Sequence, residues 1–249
     1  MIKKNSLIQY DIFESFSNLT AFTTRKNSFE TEPPRFTGSD SEVSDNRRQL
    51  AELLDINPNQ LVFPRQTHTN CVVELSEIPD DELKNTDALV TNRPGICLCV
   101  QTADCAPILL LDPAEKAIAA VHAGWRGTVA RIAGQAVLTM KNTFGTDPKH
   151  IFALVGPSIS PDIYEVGEEV INAARKNIPQ AEKAIRENPG KKPHFDLWEA
   201  NRRILLKSGI LSKNIKIFGE CSYQKSDDYY SARRDGIEKG RNVSGIMLL

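Results

Sequence analysis

Histidine is scarce in this sequence: there are four in 249 residues, His68, His122, His150 and His194. The cysteines number five, Cys71, Cys97, Cys99, Cys105 and Cys221. An odd count with no secretory leader argues against a disulfide framework. No pair is spaced C-x-x-C, so a thioredoxin-like site and a four-cysteine zinc knuckle are excluded. Neither G-x-x-x-x-G-K-[ST] nor G-x-G-x-x-G occurs, which removes support for nucleoside-triphosphate and dinucleotide folds. H-E-x-x-H is missing, and so is H-x-E followed by P-C-x-x-C, the usual pattern of zinc nucleobase deaminases. No apolar run approaches the roughly 20 residues needed to span a bilayer. The opening stretch to Phe13 has no apolar core and no small-residue cleavage site, so a cytoplasmic protein without a membrane partner is expected. Lys and Arg total 31 against 32 Asp and Glu, a net charge of -1, with no basic excess for nucleic acid.

What is present is ordinary in bulk. Hydrophobic residues make up 40% and charged residues 25%, as in a soluble globular chain long enough for a substantial core. No repeat or linker stands out, so residues 1–249 are read as one domain. β-prone runs are Leu7–Tyr10, Leu19–Thr24, Leu61–Phe63, Cys71–Leu75, Ala88–Thr91, Ile96–Gln101, Ile108–Leu111, Ala117–Val121, Ile151–Val155, Ile215–Phe218 and Val243–Leu249. Helical spacing appears over Asn46–Leu54, from Thr128 through Met140, over Glu165–Asn177, and after an Asp196-x-x-Glu199 capping box. Gly145 and Gly209 fit left-handed helix ends. Residues 27–45 and 178–194 read as exposed loops. Strands and helices mix without strict alternation, which favours an α+β sandwich over a doubly wound sheet.

Three short segments place a metal-competent side chain beside a strand-like run: Gln66-Thr-His68, Thr102-Ala-Asp-Cys105-Ala-Pro107, and His122-Ala-Gly-Trp-Arg-Gly127. Their spacings are too long for a finger-type site and suit ligands converging from separate loops. Two imidazoles and a thiolate favour a borderline-soft ion, zinc first and copper second. Three protein ligands leave one position open, the catalytic pattern, where zinc lowers the pKa of a bound water to about 7. Taken singly, each residue also has an ordinary reading as a packed core cysteine or a surface histidine. Pro107, Gly127 and Asp104 beside them favour a site. Cys97 and Cys99 lie two apart on one strand face and are read as core, as is Cys71. His150 and His194 are read as solvated.

Two anion-binding readings stay open. A helix starting at Thr128 would offer free N–H groups to a phosphate beside Trp125 and Arg126; equally, Trp125 packs and Arg126 pairs at the surface. Near the C-terminus, Arg233, Arg234 and Arg241 suit a grip on phosphate or carboxylate. Spacing alone slightly favours an exposed hairpin there.

Together these segments resemble the YfiH family, also called laccase-domain or multicopper polyphenol oxidoreductase-like proteins. Its members include a peptidoglycan editing factor and the human protein FAMIN. The resemblance rests on Gln66-x-His68, Thr86-Asp87-Ala88-Leu89-Val90-Thr91, Ala103-Asp104-Cys105-x-Pro107, His122-Ala-Gly-Trp-Arg-Gly127 and Gly156-Pro157-x-Ile159. It extends to Tyr164-Glu165-Val166, Phe195-Asp196-Leu197, Arg233-Arg234-x-Gly236 and Gly240-Arg241. It implies an α/β/β/α sandwich with mixed sheets, and zinc ligands matching His68, Cys105 and His122. It implies phosphorolysis of inosine, guanosine, adenosine and methylthioadenosine, and deamination of adenosine. Thr69 stands where the family often has Gly, and Ala232 where an aromatic is common; both bear on pocket shape. The older copper polyphenol oxidase label fits poorly. A blue-copper site plus a trinuclear cluster takes far more than four histidines, and no methionine follows a ligand closely enough to serve as the axial group.

The expected partners are a purine nucleoside and phosphate, bound by a monomer or weak homodimer. Asp104 is expected to shuttle protons in deamination, and Arg126, Thr128, Arg233 and Arg241 to hold phosphate or substrate. Two alternatives stand beside this. One is a metal-free cysteine hydrolase, with Cys105 as nucleophile and His122 as base, which suits editing of peptidoglycan precursors. The other is a binding protein that keeps only the fold.

Overall fold

The two large β-sheets of this protein are covered on both faces, and that explains why so few of their strands alternate in polarity. The computed structural model describes residues 7–30, 34–38 and 41–249. The first six residues and part of the proline-rich loop lie outside the described residues, and with them part of the 27–45 expectation and of the N-terminal reading. Among the described residues, one sheet runs β1 (Leu7–Ile8), β2 (Leu19–Thr24), β13 (Asn242–Leu248), β6 (Cys97–Thr102), β3 (Leu61–Val62) in spatial order. The other runs β12 (Ile215–Ile217), β9 (Phe152–Val155), β7 (Ala106–Asp112), β8 (Ala117–Ala123), β5 (Ala88–Thr91), β4 (Val72–Glu74). β10 (Ile185–Arg186) and β11 (His194–Phe195) make a small separate pair. Both main sheets mix parallel and antiparallel neighbours.

The helices are α1 (Ser41–Leu54), α2 (Trp125–Val129), α3 (Ile132–Phe144), α4 (Glu168–Asn177), α5 (Leu197–Lys207) and α6 (Ala232–Asp235). Three apolar layers hold the sandwich together, and alternate residues of one strand feed different layers. On β6, Cys97 and Cys99 pack toward α1 with Phe36, Leu50 and Phe63, while Leu98 and Val100 face the second sheet. On β7, Leu109 and Leu111 join that inter-sheet layer, and Ile108 and Leu110 pack against α3, α4 and α5. The order is therefore α/β/β/α, as the family resemblance implied. Both faces of β7, β8 and β13 are fully buried. Gly245 on β13 has a packing reason: a Cβ there would lie 2.7 Å from the Phe22 ring.

Several local expectations need correction. α1 begins at Ser41, five residues before Asn46, because polar residues fill its exposed face. The helix expected from Thr128 is two helices. α2 starts at Trp125, and the chain breaks at Arg131, whose φ of 60° is left-handed. α4 begins at Glu168, three residues later than Glu165. Residues 178–194 are not simply exposed: Ala181, Ala184 and Ile185 are buried under α5 and α4. Cys71 is exposed rather than core, and His194 is half-buried, with Nδ1 2.7 Å from the Pro161 carbonyl. His150 is exposed, as read. The expected C-terminal hairpin is instead α6, capped by the Ser231 hydroxyl accepting from the Arg234 N–H at 3.2 Å. Gly145 and Gly209 do take left-handed conformations, and Asp196 does cap α5. No helix among the described residues is long and apolar enough to cross a membrane.

Candidate metal centre

Three chain segments meet at one end of the inter-sheet layer. β6 belongs to one sheet and β7 to the other, so the turn Ala103-Asp104-Cys105 carries the chain across the sandwich. Asp104 makes that crossing at φ 89°. Its carboxylate accepts from the Ser222 hydroxyl at 2.7 Å and from the Arg233 N–H at 2.7 Å. His122 is the penultimate residue of β8, directly opposite Pro107 of β7. His68 sits in the loop after β3, at φ 63°.

One carboxylate fixes two of the three segments. Asp87, just before β5, is fully buried. It accepts from the backbone N–H groups of Thr67 (3.2 Å), His68 (3.0 Å) and Thr69 (2.8 Å), and from the Thr69 hydroxyl (2.8 Å). These bonds hold His68 in its left-handed turn, which a non-glycine residue adopts only when its surroundings impose it. Asp87 Oδ1 also lies 2.8 Å from His122 Nδ1. A carboxylate there accepts from Nδ1–H, so Nε2 is the His122 nitrogen turned toward the other two candidate donors. Burial pushes the Asp87 carboxyl up, but the bonds from His122 and Thr69 outweigh it and hold it well below the usual carboxylate range.

The result is a compact donor set. One ligand atom each from His68, Cys105 and His122 lies within 4.8 Å of the others, and His68 Nε2 is 3.8 Å from Cys105 Sγ. Gly124 leaves room for this approach: a Cβ there would stand 2.9 Å from Cys105 Sγ and 2.9 Å from His68 Cδ2. The electrostatics suit a cation. Burial would raise the Cys105 thiol, but the imidazoles of His122 and His68 bring it down to about 6. Burial would lower His122, but Cys105 and Asp87 raise it to about 9. Two imidazoles, a ready thiolate and a carboxylate behind one imidazole match a borderline-soft metal ion.

A cavity of about 880 Å³ opens on this trio, with Gln66, Gln101, Ala103 and Arg241 among its walls. A smaller one of about 310 Å³ lies beside Trp125, Tyr164 and Arg233. The Arg126 guanidinium stacks 4.3 Å over the Trp125 ring, and that of Arg233 lies 5.3 Å from the Tyr164 ring centre. Burial raises the Tyr164 hydroxyl, and the charge of Cys105 raises it further, so it stays protonated.

Not every expected site residue takes its expected place. Thr128 is buried inside α2, where its hydroxyl accepts from Asn201 at 3.1 Å and its N–H donates to the Gly124 carbonyl at 2.8 Å, so the helix start lies at Trp125 instead. Arg241 turns back on its own loop, donating to the carbonyls of Ile237 (2.7 Å) and Gly240 (3.1 Å). Asp104 has both oxygens engaged, so it acts as a brace between the Cys105 turn and α6 rather than as a free proton carrier. Asp87, Gly124 and Gln66 lie within the sequence motifs, but the sequence assigns them no role. The Gln66 amide donates to the Gln101 carbonyl and accepts from its N–H, both at 2.8 Å, which docks the His68 loop on β6. A polar Thr-Asp pair directly before a buried strand was the available signal for Asp87.

A family model described as multi-copper polyphenol oxidoreductase laccase matches residues 22–249. This chain belongs to that family. A purine nucleoside phosphorylase from Bacteroides thetaiotaomicron is 40% identical, the match covering 99% of this chain and 97% of that protein. Adenosine deaminase RL5, from an unknown prokaryotic organism, is 41% identical over 85% of this chain and 84% of its own. The crystal structure of the Bacillus licheniformis hypothetical protein YfiH superposes with a TM-score of 0.91 at 29% identity, covering 100% of this chain and 98% of that one. The YfiH resemblance and the mixed α+β fold are thus borne out. Copper in the laccase family name labels the family and does not identify the ion that this donor set selects.

Proposed function

We propose that this chain is a purine nucleoside phosphorylase that also deaminates adenosine, and that it works with one zinc ion held by His68, Cys105 and His122. The observation that carries the reading is the His–Cys–His donor set opening on a cavity of about 880 Å³. Relatives named for these two activities align over most of the chain. Bound zinc would supply Lewis acidity and a water with its pKa lowered to about 7.

The chain's own residues supply position and charge. In phosphorolysis a phosphate oxygen bonds to C1′ of the ribose as the bond from C1′ to the purine nitrogen breaks. The products are the free base, which takes up a proton, and ribose 1-phosphate. Arg126 and Arg233 offer planar cations braced by aromatic rings, suited to holding phosphate. Arg233 is tied to the metal centre through Asp104, which accepts from its N–H. Asp87 keeps the Nε2 of His122 available and holds the His68 loop. The protonated Tyr164 hydroxyl is a donor at the same face.

The test is incubation of purified protein with inosine and phosphate, following hypoxanthine. Turnover is expected, and Cys105→Ala or His68→Ala should abolish it. Full turnover by both variants would sink the reading.

One observation favours a second reading. The Cys105 thiol, His122 and Asp87 also form a nucleophile–base–carboxylate series, with the thiol brought down to about 6. A metal-free hydrolase acting on a cell-wall precursor would use it. Stoichiometric metal in protein purified without a histidine tag counts against that reading.

A further inference from the structure

Gln101 is the last-but-one residue of β6, four residues before Cys105, and it lines the large cavity beside His68, Cys105 and His122. Its backbone is fully used: the N–H donates to the Gln66 side chain and the carbonyl accepts from it. Its side chain is half-buried, and among the described residues its amide makes no hydrogen bond. The neighbouring amide of Gln66 does the opposite, spending both its groups on protein. β6 therefore presents to the cavity one amide donor and one amide acceptor that the fold itself does not need.

We propose that the Gln101 amide reads the six-position edge of the purine ring and lets the site accept both 6-oxo and 6-amino nucleosides. This inference rests on the nucleoside reading above. Inosine presents an acceptor at O6 and a donor at N1–H. Adenosine presents the reverse, a donor at the 6-amino group and an acceptor at N1. A glutamine amide has one group of each kind, and its terminal torsion is broad and roughly two-fold. A half-turn exchanges donor and acceptor at little cost, so the same side chain makes two bonds to either base. Held by protein on both groups, as Gln66 is, an amide would fit only one pattern. A carboxylate at the same place would lack the donor half of the code.

The experiment compares steady-state constants for inosine, adenosine and purine riboside, which has no substituent at the six-position, in wild-type protein and in Gln101→Met. Methionine keeps the length and removes both polar groups, and since the amide bonds nothing in the fold, metal content and Tm should match wild type. KM for inosine and for adenosine should rise by roughly 5- to 100-fold, the range for a lost bidentate base contact. KM for purine riboside, which offers N1 alone, should rise less, so the preference for 6-substituted nucleosides shrinks. Gln101→Leu should repeat the pattern. If wild type converts these nucleosides and both variants keep KM for inosine and adenosine within about two-fold, this inference fails and the proposed function stands. An equal loss on purine riboside also overturns it. Wild-type protein that converts no nucleoside overturns the proposed function and this inference with it.

Discussion

Asp87→Asn keeps the size of the residue and changes what it can accept. The carboxylate takes four bonds from the 67–69 turn and one from His122. An amide would set an NH2 against one group of these donors. Loss of a carboxylate behind a metal-binding histidine costs about 10- to 100-fold in metal affinity, and chelator competition should find a loss of that size. The same variant should move the titration of Cys105. In metal-free wild type, Cys105 is thiolate above about pH 6 because the His122 and His68 imidazoles overcome burial. Alkylation of Cys105 by iodoacetamide, mapped by mass spectrometry apart from the exposed Cys71, should show its midpoint near 6. With Asp87 neutral, His122 is less readily charged, so the midpoint should rise. An unchanged midpoint and unchanged affinity would mean that Asp87 does not hold the site. The sequence made the candidate ligands legible because histidine and cysteine are few and chemically distinct. It did not make Asp87 legible, since one aspartate among many acidic residues carries no mark of burial until the turn closes on it. Gly124 was hidden for a similar reason. Its φ of -71° would admit any residue, and only the approach of Cys105 and His68 forbids a side chain.

Elements decide which polar residues face the pocket and which face each other. Helical spacing from Val129 to Met140 suggested one helix with Thr128 at its start. The backbone starts α2 at Trp125 and turns at Arg131, and this places Thr128 inward against Asn201 of α5. Two substitutions separate the outcomes. Thr128→Val should leave KM for phosphate near wild type and lower Tm, since a buried hydrogen bond is lost and Asn201 is left short of a partner, at about 1–3 kcal/mol. Arg233→Ala should leave Tm nearly unchanged, because its side chain is exposed, and should raise KM for phosphate by about 10-fold or more, as fits loss of a charged hydrogen bond. The reverse pattern would restore Thr128 to the site. Elements also explain the missed C-terminal reading. Arg234 donates to the carbonyls of Ser222 (2.9 Å) and Tyr229 (2.7 Å). A charge run that looked like an exposed hairpin therefore winds into a short helix around a half-buried guanidinium.

At the scale of the molecule, the pairing of strands far apart in sequence builds the centre. β13 lies between β2 and β6, so residues near the two ends of the chain share one sheet. β6 and β7 are consecutive yet belong to different sheets, and the turn between them delivers Cys105 to His122. The strand runs were legible because Val, Ile, Leu and Ala cluster between turn residues. Their order in each sheet was not, because strands buried on both faces carry no alternation to set direction or register. Layer order came from the family resemblance, and the structure agrees with it.

The central claim is that His68, Cys105 and His122 hold one catalytic ion. It is tested most directly by adding zinc stepwise to metal-free protein while following hypoxanthine release from inosine and phosphate. Turnover should rise in proportion to bound zinc and level off at one equivalent per chain, and Cys105→Ala should stay flat throughout. Full turnover before any zinc is added, or a rise that Cys105→Ala shares, would contradict the account.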